Sequence, residues 1–488
     1  MERRKENVLL FPFMAKSHII PFLALAQQLE RKGYTITFVN TSINIKKLQK
    51  FLPSNSSIRL LEIPFNAAEH GLPPEAENSD SLPYKLVLRI LEASSCLEQP
   101  FRKLLADLVE GNGGGEKPVC VVADFIFDWT AHVAHEFGVF HAIFSCTGGY
   151  GMACYYSMWL NLPHKHTESQ EFMLPDFPEA GKFHVTQLSP ALLVAQEDDP
   201  FTTFQRKNLP NWSKSDGILF NTFEEIDKRG LTYFRRKLGI PVLAVGPILL
   251  SEYDRSRIGR KPAISPASCI EWLNKKQPNS VLFISFGSQN TISASQMLQL
   301  AKALDSSRTN FIWVVRPPLG HDMDADFVPQ DWLPEGFVQH IEDQEMGLIV
   351  EKWGPQMEIL SHKSTAAFLS NCGWNSVLES LKNGVPLIGW PMAAEQYYNA
   401  KVLVEEAGVC VEVARGTCFE VRQEEIMEKI ELVMGDNYKS KEIKRKACEI
   451  KELIKDATRD EESYKGSSVK AMEELFISAS LSKEKTDV

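Results

Sequence analysis

Short apolar runs alternate with longer amphipathic ones along most of the chain. Residues 8–13 (VLLFPF) are continuously apolar, as strands buried on both faces of a parallel sheet are. Residues 19–32 follow with helical spacing, and Gly33 closes them. Residues 34–41 (YTITFVNT) then predict a strand, giving a βαβ unit and hence a parallel sheet. Residues 119–123 (VCVVA) predict another strand, ending at Asp124. Between about 247 and 268 the pattern lapses into a polar, basic, proline-bearing stretch that reads as an interdomain linker. A second series of strands is predicted at 281–286, 311–315, 347–351, 366–371, 385–390 and 409–413, with helical segments between. The tail, 439–481, is charged with helical spacing. The expected fold is α/β, with two facing halves that bind ligands at the carboxyl ends of their strands.

The chain's 488 residues suffice for two or three domains. Apolar residues make up 44% and charged ones 24%, an ordinary globular balance. A net charge of −10 argues against nucleic acid as a partner, since phosphate backbones call for a basic face. Nine cysteines at irregular spacing form no CxxC and suggest free thiols in a reducing compartment. Near the start, ERRK followed by VLLFPFM imitates a signal peptide, but Pro12, Lys16 and His18 interrupt it, so a buried first strand is expected. No stretch is long and apolar enough to predict a membrane span. The expected location is the cytoplasm, and the expected state a monomer. Residues 111–115 (GNGGG) lack the flanking strand and helix of a dinucleotide fingerprint. The apolar stretch 142–162, with its glycines and tyrosines, reads as lining a pocket.

Residues 353–396 carry the most chemistry. They read as strand, glycine turn, helix start, strand and acid-amide pair, an order that could hold a nucleotide, its phosphates and a sugar. The run AAFLSN ends in polar residues. Cys372 and Gly373 would then turn the chain tightly, and Asn375 and Ser376 open a helix whose free N–H groups and dipole favour anions. This segment closely resembles the plant secondary-product signature of the family 1 UDP-glycosyltransferases. FPFMAKSHIIPFLALAQ, VVADFIFDWTAHVAHEFGVFHAIF and SVLFISFGSQNTIS resemble the family's opening strand and helix, its second catalytic strand and the start of its donor domain. The resemblance therefore covers essentially the whole chain. It implies the GT-B fold, with two facing Rossmann-like domains, inversion at the sugar's anomeric carbon, and no metal or cofactor beyond UDP-glucose as co-substrate. It divides the chain into an acceptor-binding domain (1–248), a linker (249–268), a UDP-sugar-binding domain (269–455) and a C-terminal helix with tail (456–488) that packs back on the first domain.

Carried over residue by residue, the resemblance makes His18 the base and Asp124 the carboxylate that orients it. By position alone, His18 could instead cap a helix, and Asp124 could be the N-cap of the one that follows. Trp353 would stack on uracil, with Gly354 and Gln356 at the uracil edge and ribose. Glu379 would accept from the ribose hydroxyls. Ser288, Asn371, Gly373, Asn375 and Ser376 would surround the diphosphate, and Trp374, Glu395 and Gln396 the sugar. Ser376 and Glu379 also spell a capping box, a competing use of both side chains. The acceptor is expected near His18, Phe144, Tyr150 and the GGYG turn at 148–151.

Two positions depart from the family pattern. Asn371 stands where the signature usually has histidine, so the positive charge a histidine can carry beside the diphosphate is missing. Lys16-Ser17 precede His18 where Gln-Gly is frequent. The expected activity is transfer of glucose from UDP-glucose to a hydroxyl of a small apolar metabolite, a phenolic or flavonoid first and a terpenoid second. The alternative is an impaired homologue that binds UDP-sugar as a sensor or partner. A nucleotide-dependent oxidoreductase would need the GxGxxG that is missing. His132 and His135, spaced i, i+3, have no HExxH around them and do not predict zinc.

Overall fold

The computed structural model describes residues 6–53, 55–111, 116–250, 264–323, 325–417 and 419–486. Most of the 247–268 stretch, most of the 111–115 loop and the basic start ERRK lie outside them. The strands, in chain order, are β1 (Asn7–Phe11), β2 (Thr35–Thr41), β3 (Arg59–Ile63), β4 (Pro118–Asp124), β5 (Phe140–Ser145), β6 (Glu171–Met173), β7 (Lys182–His184), β8 (Gly217–Phe220), β9 (Val242–Ala244), β10 (Val281–Ser285), β11 (Asn310–Val315), β12 (Gly347–Glu351), β13 (Thr365–Ser370), β14 (Leu387–Gly389) and β15 (Cys410–Glu412).

Two parallel sheets dominate. The first runs β3-β2-β1-β4-β5-β8-β9 and the second β12-β11-β10-β13-β14-β15; β6 and β7 form a small antiparallel pair. In each large sheet the order reverses direction beside the first strand in sequence, β1 or β10, and the crevice opens outside the carboxyl ends there. All five residues of β1 and all seven of β4 are buried, which is why they read as continuous apolar runs rather than alternating ones. This is the GT-B arrangement of two Rossmann-like sheets.

A shared apolar core joins the two halves on one side of the crevice. Tyr150, Met152, Phe177 and Phe183 of the first half cluster with Trp374, Tyr397 and Tyr398 of the second. Glycines let the elements approach. A Cβ on Gly151 would lie 2.0 Å from Asn399 Oδ1, and one on Gly230 would lie 2.1 Å from the backbone N of Tyr150. The tail holds two helices, Tyr438–Ala457 and Ser467–Thr486. The first packs in the second half, whereas Met472, Leu475, Phe476 and Ala479 of the other sit in the first half's core with Val8, Leu10 and Val122. The chain therefore crosses between the halves twice.

Candidate active site

The helix Lys16–Arg31 begins directly after β1, and its N-cap is Ala15, with no side-chain cap. His18 therefore lies in the first turn, with its ring free to leave the helix. Its Nδ1 is 2.8 Å from Asp124 Oδ2. Asp124 is fully buried at the end of β4, and it also accepts the backbone N–H groups of Phe13 (3.1 Å) and Ile126 (3.3 Å). A carboxylate held by donors requires the proton on His18 Nδ1, which leaves Nε2 as the atom able to accept one. Burial pushes His18 down, but the charge of Asp124 and its hydrogen bond, with smaller help from Glu395 and Asp80, carry it above the ordinary histidine value. Neither residue caps a helix: the helix after Asp124 starts at Thr130 with Trp129 as its N-cap.

His18 faces a cavity of about 730 Å³ between the two sheets. From the second half, Ser288, Trp353, Gly354, Gln356, Asn371, Gly373, Trp374, Asn375, Ser376, Glu379, Glu395 and Gln396 all line it. Every donor-side residue expected from the sequence is thus brought to one crevice with His18. Their local geometry is more specific than the sequence foretold. The left-handed residue of the turn after β13 is Cys372 (φ 60°), while Gly373 has an ordinary φ of −62° and is the N-cap of the helix Trp374–Lys382. A Cβ on Gly373 would meet protein atoms only at ordinary contact distance, 3.4 Å from Asn371 Oδ1. No protein neighbour requires glycine there, which fits a backbone left bare for a ligand. Asn371 Oδ1 accepts the Gly373 N–H (3.2 Å).

The capping box does not form, because Gly373 occupies the N-cap. Glu379 is buried, and Gln356 Nε2 donates to its Oε2 (2.7 Å) and to Ser376 Oγ (3.0 Å), tying the three side chains together. Trp374 donates its indole N–H to the carbonyl of Asn221 in the first half (2.8 Å), so that N–H is spent on domain contact rather than held for a sugar. Asn375 Nδ2 likewise donates across the crevice, to the carbonyl of Ser17 (3.0 Å). Gln396 Oε1 accepts from the backbone of Met392 and Ala393 (both 3.0 Å), leaving the amide nitrogen for a ligand. Burial raises Glu395 above the usual carboxylate range, against the opposing pull of a backbone N–H, His18 and Asn399.

Phe144 and Tyr150 require correction. Phe144 is completely buried against Phe22, with ring centroids 5.0 Å apart, and Tyr150 donates its hydroxyl to the Ala180 carbonyl (3.0 Å) inside the core. Neither lines the cavity. The GGYG turn is likewise structural. Asp227 accepts the N–H groups of Gly149 and Tyr150 (both 2.9 Å), and a Cβ on Gly148 would lie 2.9 Å from the Trp374 ring. The acceptor side is instead walled by Leu88, Leu91, Phe125, Met152, Tyr155 and Trp159, with Phe201 and Phe204 beyond. Several polar groups in this chamber pair with one another, as Gln205 Nε2 does with Tyr155 Oη (2.9 Å) and Asn208 Nδ2 with the Ile126 carbonyl (2.5 Å). Met152, Tyr155 and Trp159 lie on one face of the helix Gly149–Asn161, a spacing visible in the sequence. His132 and His135 pair with Glu136 (3.0 Å) and Asp216 (2.9 Å) on the surface.

Residues 259–448 match the family model described as UDP-glucoronosyl and UDP-glucosyl transferase. The chain is 47% identical to UDP-glycosyltransferase 92A1 of Arabidopsis thaliana, covering 98% of each, and 39% identical to crocetin glucosyltransferase 3 of Crocus sativus, covering 90% of this chain and 92% of that one. Its fold is similar to that of Glycyrrhiza uralensis UGT73P12 complexed with glycyrrhetinic acid 3-O-monoglucuronide (TM-score 0.83, 26% identity, 99% and 97% of the two chains covered). It is similar also to Phytolacca americana UGT2 complexed with UDP-2fluoro-glucose and pterostilbene (TM-score 0.77, 25% identity, 97% and 100% covered).

Proposed function

Because the chain belongs to the plant family 1 UDP-glycosyltransferases, and is thus a hexosyltransferase, we propose that it moves glucose from UDP-glucose to a hydroxyl of a small, largely apolar acceptor, with inversion and without a metal. The observation that carries this reading is the His18–Asp124 pair facing the crevice that holds the donor signature. His18 Nε2 takes the proton of the acceptor hydroxyl as its oxygen attacks C1 of glucose from the face opposite UDP. The C1–O bond to the diphosphate breaks and UDP leaves with the bonding electrons. Asp124 stabilises the imidazolium so formed. Hydrogen-bond donors at the N-terminus of the helix Trp374–Lys382 offset charge on the leaving diphosphate. Gln396 and Glu395 hold the sugar hydroxyls.

The apolar acceptor wall suits a phenolic or flavonoid-like ring first and a terpenoid alcohol second. One relative is named for crocetin, and one solved neighbour holds pterostilbene, both in keeping with a small acceptor. We place the enzyme in the cytoplasm as a monomer. All eight cysteines among the described residues are free, and no helix among those residues is long and apolar enough to cross a membrane.

The test is incubation with UDP-glucose and a panel of phenols, flavonoids and terpenols, without added metal, followed by mass spectrometry. A gain of one hexose is expected from the wild type and none from His18→Ala. Unchanged turnover in that variant would remove the base assignment. UDP-sugar binding with no transfer to any acceptor would favour the sensor reading that Asn371 motivates.

A further inference from the structure

The helix start that carries His18 has no capping side chain of its own, and a carboxylate from elsewhere takes that place. Asp80 lies in the 3-10 turn Ser79–Ser81, sixty-four positions along the chain from Lys16. Its Oδ2 accepts the backbone N–H of Lys16 (2.9 Å), a donor at the very start of the helix Lys16–Arg31. The neighbouring Ser79 N–H donates to the Met14 carbonyl (2.9 Å), so the turn is zipped to the base loop at two points. The turn is itself buttressed, since Asn78 Oδ1 accepts from Asp80 N (2.9 Å) and Asn78 Nδ2 donates to Asn44 Oδ1 (3.1 Å).

The other carboxylate oxygen faces the second half of the molecule. Gln289 Nε2 donates to Asp80 Oδ1 (2.6 Å) and reaches Ser79 Oγ (3.4 Å). Gln289 follows Ser288, which lines the donor crevice after β10. Asn375, in the first turn of the helix at the diphosphate position, holds the Ser17 carbonyl directly. The two backbone groups just before His18 are thus gripped by the sugar-nucleotide half, one directly and one through Asp80.

Resting on His18 as the base, we propose that Asp80 is a positioning residue that, with Gln289, couples the donor-binding half to the placement of the base. Residues 287–289 and the helix start at 373–376 line the donor crevice, so UDP-glucose seated there bears directly on the contacts they make toward the base. Gln289 and Asn375 then set the base loop, so the imidazole is correctly aimed only when a donor is in place. Such coupling opposes proton abstraction from an acceptor with no sugar to receive it.

Kinetics of Asp80→Asn and of the swap Asp80→Asn/Gln289→Glu provide the test, at saturating donor and acceptor. In Asp80→Asn the new amide can still accept the Lys16 N–H through its oxygen, but the charge is lost, and Gln289 must turn its amide over to meet the new NH2 with Oε1, taking Nε2 away from Ser79 Oγ. Adding Gln289→Glu restores a charged donor–acceptor pair with the polarity reversed. Asp80→Asn is expected to lower kcat about tenfold with both KM values little changed. The swap is expected to recover most of that loss, with both variants unfolding near the wild-type temperature. The groups facing His18 are Asp124 on β4, Glu395 before the helix Gln396–Val402, Cys146 after β5 and Asp80 itself. Removing the Asp80 charge moves the acid limb of the pH profile to lower pH in Asp80→Asn whatever the turn does, so the positioning role is read from the kcat loss on the pH plateau and its recovery in the swap. The proposal is overturned by an Asp80→Asn enzyme as fast as wild type, or by a swap no faster than the single variant. A wild type that transfers no hexose at all would remove the function and this role with it, whereas an active wild type with an indifferent Asp80→Asn would remove the role alone.

Discussion

Gly148 is the point at which one added methyl group tests whether the domain contact matters to catalysis. A Cβ there would lie 2.9 Å from Cε2 and Cζ2 of Trp374 and 3.0 Å from Asp227 Oδ2. Ordinary contact begins near 3.4 Å, so the indole must retreat by about 0.5 Å. It is not free to do so, because its N–H is bonded to the Asn221 carbonyl at 2.8 Å and the side chain is buried. Gly148→Ala therefore forces either overpacking, at about 1–3 kcal/mol, or loss of that hydrogen bond inside the interface, at about 1–3 kcal/mol. Where both occur, the combined cost is about 2–6 kcal/mol. If it falls on the domain contact that forms the crevice, kcat/KM drops by about 30-fold or more, at about 1.4 kcal/mol per tenfold. Steady-state kinetics and thermal unfolding, measured together, separate the cases. Trp374→Phe removes Cζ2 and the indole N–H that holds the ring in place, leaving the Asp227 contact, so the double variant Gly148→Ala/Trp374→Phe is expected to be better than the two single effects added, by about 1 kcal/mol or more. Strict additivity, or lowered stability with unaltered kcat/KM, would refute the argument.

Asp124→Asn is expected to lower kcat by about 10³–10⁴-fold. Whichever way the amide turns, its NH2 faces a backbone N–H, that of Phe13 or Ile126, and it carries no charge to stabilise the imidazolium. The sign of the accompanying pH effect follows from what remains. Burial lowers the His18 pKa and the compensating charge has gone, so the acid limb of any residual activity moves to lower pH; a limb unmoved in a pH–rate profile would contradict this. Asn371→His is expected to preserve or raise turnover. The ring Nδ1 can take the Gly373 N–H that Asn371 Oδ1 now accepts, and Nε2 then offers a proton to the diphosphate. A sharp fall in initial rate would mean that the asparagine is adapted to its place.

The donor side is legible in the sequence because its residues are close together and tied to one strand–turn–helix. Reading outward from β13 places Asn371, Gly373, Asn375 and Ser376 without knowledge of the rest. His18 and Asp124 are legible only through the family resemblance: position alone leaves both as possible helix caps, and the structure puts His18 in the first turn of the helix after β1 and Asp124 at the end of β4. The acceptor side is not, because an aromatic residue in an apolar run says nothing of which face it takes. Phe144 points into the sheet's packing and Tyr150 into the inter-half core, while helical spacing from Met152 leads to Tyr155 and Trp159 on the cavity face. The Ser376–Glu379 capping box fails because Gly373 takes the N-cap. Asp80 and Gln289 have no local signal at all, since they meet across 209 positions of chain.

The return of the helix Ser467–Thr486 to the first half also limits how the enzyme can open. Two chain connections tie the lobes, as two pins hold a door, so any relative movement must respect both. The Tyr150–Tyr398 core, shared by both halves, is a third tie between them. A nick in either connection is expected to leave one covalent tie and the shared core, so the lobes would stay together on a gel-filtration column.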